Sequence, residues 1–166
     1  MSMFHLDPNL VLEPFDAPDA LSALRFMASR LVALGYVKES YPEAVVQREQ
    51  EFPTGLPTAG AGVAIPHCDA EHVITPTIAV CTLVHPVSFG VMGSEDDQVS
   101  VEIIIMLALN DPSEQLDTLK RVATMVENPD VLTALKSAGS QGAVIRLLST
   151  YFSPGNEPEG GELDRK

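Results

Sequence analysis

Val99-Ser100-Val101-Glu102-Ile103-Ile104-Ile105-Met106-Leu107-Ala108-Leu109 is the stretch that decides the architecture. From Ile103 onward it is continuously apolar, and β-branched residues dominate its first half. A strand with one wet face alternates polar and apolar residues. A continuously apolar strand is covered on both faces and takes a central place in its sheet. The run is also far shorter than the ~18 to 20 apolar residues of a membrane-spanning helix. Helices must therefore lie on both sides of it.

Working outward, Val63 to Ile65 and Ile78 to Val84 read as further strands, and Val87 to Phe89 as a shorter one. Gly93-Ser94-Glu95-Asp96-Asp97 reads as a polar, solvated turn. Nearer the N-terminus, residues 9 to 12 read as a short strand. After Asp16-Ala17-Pro18-Asp19, the residues Leu21, Leu24, Met27, Ala28, Leu31, Val32 and Leu34 recur at helical spacing until Gly35. Ser40-Tyr41-Pro42-Glu43 has the form of a capping box, opening a second helix that runs to about Glu51. Phe52 to Gly62 is too rich in glycine and proline for regular structure. Beyond the long strand, Asp111-Pro112-Ser113-Glu114, Asn128-Pro129-Asp130 and Ser140 each open a helix. The pattern is α/β: a single domain over residues 1–152, with a mixed sheet flanked by helices on both sides. Residues 153–166 are glycine, proline and charge, and are expected to form a disordered tail.

The 166 residues suffice to bury a proper core. With 10 basic and 23 acidic residues the net charge is −13, which argues against nucleic acid and anionic membrane surfaces as partners and fits a basic protein. His5, Asp7 and Pro8 stand where a signal peptide needs a basic start and an apolar run. Two cysteines, Cys68 and Cys81, in a chain that needs no disulfide agree with a reducing, cytoplasmic compartment.

The chemistry concentrates between Arg48 and Cys68. Val63-Ala64-Ile65-Pro66-His67 delivers an imidazole at the end of an apolar strand, where α/β folds place function. A neutral ring nitrogen can attack phosphorus, and it can equally bond a backbone group and do nothing more. Arg48, at the end of the second helix, can grip phosphate oxygens bidentately, and it can equally complement the helix dipole. The glycines at 55, 60 and 62 match neither the P-loop nor the dinucleotide fingerprint, although such a loop can turn its amides toward an anion. A metal site at His67, Cys68, Asp69, Glu71, His72 and His85 is disfavoured by spacing, since no CxxC or His-x-x-x-His pair exists. Cys68 as a nucleophile is disfavoured because adjacent residues rarely aim at one another.

At Arg48-Glu49, Pro53-Thr54-Gly55-Leu56 and Val63-Ala64-Ile65-Pro66-His67 the chain resembles the enzyme IIA domains of the bacterial sugar phosphotransferase system, in the fructose–mannitol–galactitol superfamily. Gly35-Tyr36-Val37, Pro86-Val87-Ser88-Phe89, Met92-Gly93 and Glu114-Gln115-Leu116 extend the resemblance over nearly the whole domain, and Pro-Thr-Gly points to the galactitol-like branch. The resemblance implies a five-stranded mixed sheet, phosphorylation at His67 and an active-site arginine at Arg48. It implies a phosphoryl group received from the phosphocarrier HPr and passed to a cysteine of a IIB component, while sugar enters through the membrane IIC component. No cofactor, metal or membrane insertion is implied for this chain. Related members often carry a second histidine after the long strand. Gln115 stands in that place here; its amide can donate to a phosphate oxygen but carries no charge, so it is a secondary candidate. The alternative use of the same fold is regulatory: reporting phosphorylation state by binding another protein, without sugar transport.

Overall fold

The computed structural model describes residues 6–152. His5 and the tail expected to be disordered lie outside the described residues.

Among the described residues, five α-helices form where the sequence supplies starts and stops. α1 (Ala20–Ala33) is capped by the Asp19 carboxylate, which accepts the Ser22 N–H at 2.8 Å. It stops at Gly35, whose φ of 83° is a left-handed conformation that suits glycine. α2 (Tyr41–Glu51) starts as expected, but Ser40 is not a side-chain cap. Its own backbone is already helical, and its hydroxyl turns away to His72 Nδ1 at 2.8 Å. α3 (Pro112–Val126) and α4 (Pro129–Ser137) are capped by Asp111 and Asn128, whose side chains accept the N–H groups of Ser113 and Asp130. Ser140 Oγ accepts the Ala143 N–H at the start of α5 (Gln141–Phe152).

Four strands complete the fold: β1 (Gly55–Leu56), β2 (Gly62–Ala64), β3 (Thr77–Gly90) and β4 (Gln98–Ala108), in the order β1-β2-β4-β3. β2 runs parallel to β4; the other pairings are antiparallel. The expected central strand is β4. Its residues Ile104, Met106 and Ala108 pack with α1 and α2, while Ile103, Ile105 and Leu107 pack with α3, α4 and α5. The alternation changes face between Val101 and Ile103, where two successive residues of β2, Gly62 and Val63, pair with β4 residues two apart. A β-bulge has this effect, and Glu102 is the extra residue.

Four expectations need correction. The two strands expected at 78–84 and 87–89 are one strand, β3, whose register shifts between Thr82 and Val87. Pro86, which has no N–H to give to a ladder, lies in the irregular segment. The sheet has four strands among the described residues, not five. Where a strand was expected at 9–12, Pro8–Leu10 is a 3-10 turn capped by Asp7. Beyond it Val11 and Phe15 make isolated parallel bridges to Val80 and Leu83, with Pro14 breaking the ladder between them. Finally, the glycine-rich loop holds a short strand, β1. A Cβ on Gly55 would stand 2.5 Å from the Gly90 carbonyl oxygen, and one on Gly62 would collide with the Ser100 carbonyl. These glycines permit close approach of backbones rather than flexibility.

Candidate functional site

His67 follows the C-terminal end of β2, and Arg48 sits in the last turn of α2. The central strand ties both segments together. The Leu107 N–H donates to the Pro66 carbonyl at 2.9 Å, and the Leu107 carbonyl accepts the Tyr41 hydroxyl at 2.7 Å. Thus α2 and the His67 segment are fixed to one residue of β4. Their side chains meet in a cleft of about 450 Å³, walled by Arg48, Glu51, Phe52, Pro53, Thr54 and His67 on one side and by Met92 to Glu95 and Leu119 on the other.

His67 is 7% exposed, far more enclosed than a strand-end histidine on an open face. Its Nδ1 stands 2.9 Å from the Ile65 carbonyl oxygen. A carbonyl only accepts, so in the neutral ring Nδ1 bears the hydrogen and Nε2 carries the lone pair. Burial depresses the ring's pKa below the usual 6.5; the Ile65 bond opposes this, the Arg48 charge adds to it, and Asp69 opposes it. The imidazole is therefore neutral near pH 7.

Arg48 is loosely committed. Its Nη1 is 3.5 Å from Asp69 Oδ1, a long contact whose carboxylate is well exposed, and exposed pairs of this kind contribute ~0 to 1 kcal/mol. The guanidinium lies 5.0 Å from the centre of the Phe52 ring. Its Nε is buried with no hydrogen-bond partner among the described residues. A buried donor without an acceptor, next to a neutral nucleophilic nitrogen, suits an anion brought in from outside.

Beneath the cleft lies a network that sequence reading did not assign. Glu49, 6% exposed, accepts the Thr54 N–H and the Thr54 hydroxyl, each at 2.8 Å. Burial pushes the Glu49 carboxyl upward, and the two Thr54 bonds pull it back. Thr54 Oγ1 in turn accepts the Ile65 N–H at 3.2 Å, shared with the Thr54 carbonyl at 3.3 Å. Arg48-Glu49 and Pro53-Thr54-Gly55 were visible as motifs, but pairing across the helix end is a tertiary fact.

The glycine loop does not line this cleft. Pro57, Thr58 and Ala59 instead border a separate cavity with Ala123, Val126 and Glu127. Met92 takes its place together with Gly93, Ser94 and Glu95 from the turn at 93–97 that read as solvated. Gln115 lies half-buried in the first turn of α3. It is four residues before Leu119 and so on the same helix face, but is not itself part of the cleft wall. The other candidates are placed elsewhere or disarmed. Burial pushes the Cys68 thiol up to about 12, which leaves it protonated. His72 bonds Ser40, and His85 lies 3.1 Å from Asp16. Among the described residues no three His, Cys, Asp or Glu side chains come together as a metal site.

Residues 4–151 match the family model for "Phosphoenolpyruvate-dependent sugar phosphotransferase system, EIIA 2". The galactitol-specific EIIA component of Escherichia coli (strain K12) is 31% identical over 117 residues, covering 70% of this chain and 77% of that one. The crystal structure of IIA mannitol from Escherichia coli aligns with a TM-score of 0.71 at 27% identity, over 87% of this chain and 99% of the other. The Escherichia coli complex of enzyme IIA mannitol with phosphorylated enzyme IIB mannitol aligns with a TM-score of 0.69 at 26% identity and the same coverage. The chain thus belongs to the EIIA 2 family of the phosphoenolpyruvate-dependent sugar phosphotransferase system.

Proposed function

We propose that this chain is a cytoplasmic histidine phosphocarrier that takes a phosphoryl group from phospho-HPr on His67 and passes it to a cysteine of a IIB component, in galactitol-type sugar uptake. One observation carries the reading: His67 is held as the Nδ1–H tautomer, within the same cleft as an arginine whose buried Nε lacks an acceptor. The Nε2 lone pair attacks phosphorus in line as the bond from phosphorus to the donor imidazole breaks. The donor leaves as neutral imidazole, and the His67 ring becomes a phosphorylated imidazolium. Its Nδ1–H then donates more strongly to the Ile65 carbonyl, which spreads the new positive charge. Arg48 neutralises the phosphoryl oxygens as they arrive. The onward step reverses the roles: a IIB thiolate attacks, and the His67 imidazole is the leaving group.

Both partners must reach the one cleft. Phe52 and Met92, which line the cleft, and Leu116, one turn before Leu119 on α3, are large apolar side chains, 59%, 41% and 58% exposed. They offer a small apolar contact surface suited to transient docking. The complex formed by the mannitol relative with phosphorylated IIB supports a IIB partner here, and the galactitol-specific relative supports the sugar class.

The test is incubation with phosphoenolpyruvate, enzyme I and HPr, which should yield an acid-labile, base-stable phosphate on the chain. Incorporation that persists in His67→Ala overturns the reading. Adding a galactitol-type IIB protein separates transport from signalling, because a purely regulatory protein passes no phosphate to the IIB cysteine.

A further inference from the structure

We propose that Glu49 and Thr54 are positioning residues for His67, acting through the Ile65 peptide groups to hold the ring as the Nδ1–H tautomer with its nucleophilic Nε2 toward the cleft. The inference rests on the phosphocarrier reading for its kinetic half and on geometry alone for the rest.

The connection is continuous. The Glu49 carboxylate receives both the hydroxyl and the amide hydrogen of Thr54 at 2.8 Å. Because its hydrogen points to Glu49, the Thr54 hydroxyl can present only lone pairs to the Ile65 N–H, which it accepts at 3.2 Å. Ile65 then offers its carbonyl to His67 Nδ1 at 2.9 Å. The Ile65 N–H belongs to the peptide shared with Ala64 and the Ile65 carbonyl to the peptide shared with Pro66. The link through this residue is therefore positional: holding its N–H fixes the turn at which its carbonyl meets Nδ1. The logic is that of a carboxylate orienting a histidine, with a hydroxyl and a backbone segment inserted between them.

Local chain chemistry makes this support necessary. Pro66 lies between Ile65 and His67 and has no N–H, so it cannot anchor the segment as a donor. Its carbonyl is held by Leu107, and the Ile65 N–H by Thr54. The interactions with Thr54 set the orientation of the residue whose carbonyl selects the tautomer. Glu49 and Thr54 are 6% and 2% exposed, so water competes little for these bonds. Burying a carboxylate is costly, and a purely structural site is more cheaply filled by an apolar side chain.

The experiment uses the whole chain carrying ¹⁵N-labelled histidine. NMR reads the protonation of the His67 ring nitrogens, and phosphoryl transfer from phospho-HPr is timed alongside. In Glu49→Gln one acceptor becomes an NH2 group facing a Thr54 donor. Thr54→Val removes the hydroxyl while keeping the shape, and Thr54→Ser keeps both donors. Glu49→Gln is expected to mix the two tautomers and slow transfer by about 10- to 100-fold, the range seen when second-layer partners of functional histidines are lost. Thr54→Val should move both readouts in the same direction by a smaller factor, and Thr54→Ser should restore both to within about twofold of the parent.

A folded Glu49→Gln or Thr54→Val protein that keeps the Nδ1–H tautomer overturns the proposal, whatever its rate. A shifted tautomer with an unchanged rate overturns it as well. If Glu49→Gln does not fold, the Thr54 pair decides alone. The tautomer is read without any phosphate, so failure of the unaltered chain to accept phosphate would count against the function and not against this network.

Discussion

The two walls of the cleft are built on different terms. The wall carrying Arg48, Thr54 and His67 is tied by short buried hydrogen bonds to α2 and the central strand. The opposite wall, from Met92 to Glu95 with Leu119 behind it, is a surface turn and a helix flank rich in exposed side chains. The difference separates two tasks. Group transfer requires the nucleophile and its counter-charge to be held to within fractions of an ångström. Docking two different partners in turn requires a surface that tolerates adjustment. On the proposed function, chemistry belongs to the buried, hydrogen-bonded wall, and recognition to the exposed turn together with Phe52 at the rim.

The largest effect should follow from the rigid wall. His67→Ala is expected to abolish phosphate incorporation, checked by radiolabel transfer, while circular dichroism stays that of a folded domain. Arg48→Ala should slow transfer roughly 100-fold, the scale of losing one charge-stabilising donor, with Arg48→Lys intermediate because it loses the planar fork. Next comes pH. The ring faces Arg48 from α2 and Asp69 from its own segment, and its pKa is depressed below 6.5 chiefly by burial. Transfer should therefore persist unchanged as pH falls past 6.5, then drop about tenfold per unit once below the buried ring's own pKa. An NMR titration of the ring locates that point; protonation at or above 6.5 contradicts the enclosed site. The linked stability has the same sign: it is fully present above 6.5 and is lost as pH falls through the folded-state pKa, because protons then favour the unfolded chain.

Changes on the compliant wall should be smaller and of another kind. Met92→Ser is expected to raise the KM for phospho-HPr several-fold with kcat nearly unchanged. A loss of kcat there would dissolve the division between the walls. Gln115→Ala should have the least effect, within about twofold in rate, since Gln115 lies a helical turn from the cleft wall. A tenfold loss would bring Gln115 into the site.

Much of this was legible in the chain itself. The unbroken apolar run of β4 announced helices on both faces, and capping residues marked most helix starts, because both signals are local. The Arg48–His67 pairing was legible only through the ordered set of short motifs. What escaped was decided by distance in sequence. Gly55 and Gly62 read as loop flexibility, but the Gly90 and Ser100 backbones require them. Ser40 had the form of a cap until its hydroxyl met His72. The turn at 93–97 reads as solvated because nothing nearby in sequence shows that its first residues line a cleft with Phe52 and Leu119. Glu49 was visible only as half of the Arg48-Glu49 motif, and it is the return of the chain at Thr54 that gives its buried carboxylate two donors.

Leu107 has a mechanical consequence. One residue of the central strand receives the Tyr41 hydroxyl, near the start of α2, and gives its N–H to Pro66, next to His67. When the domain flexes, the helix carrying Arg48 and the segment carrying His67 swing from a common pivot, so the gap between guanidinium and imidazole should vary less than either position does. Under the proposed function such a pivot would keep the distance across which phosphate moves constant between a donor and an acceptor of different shape.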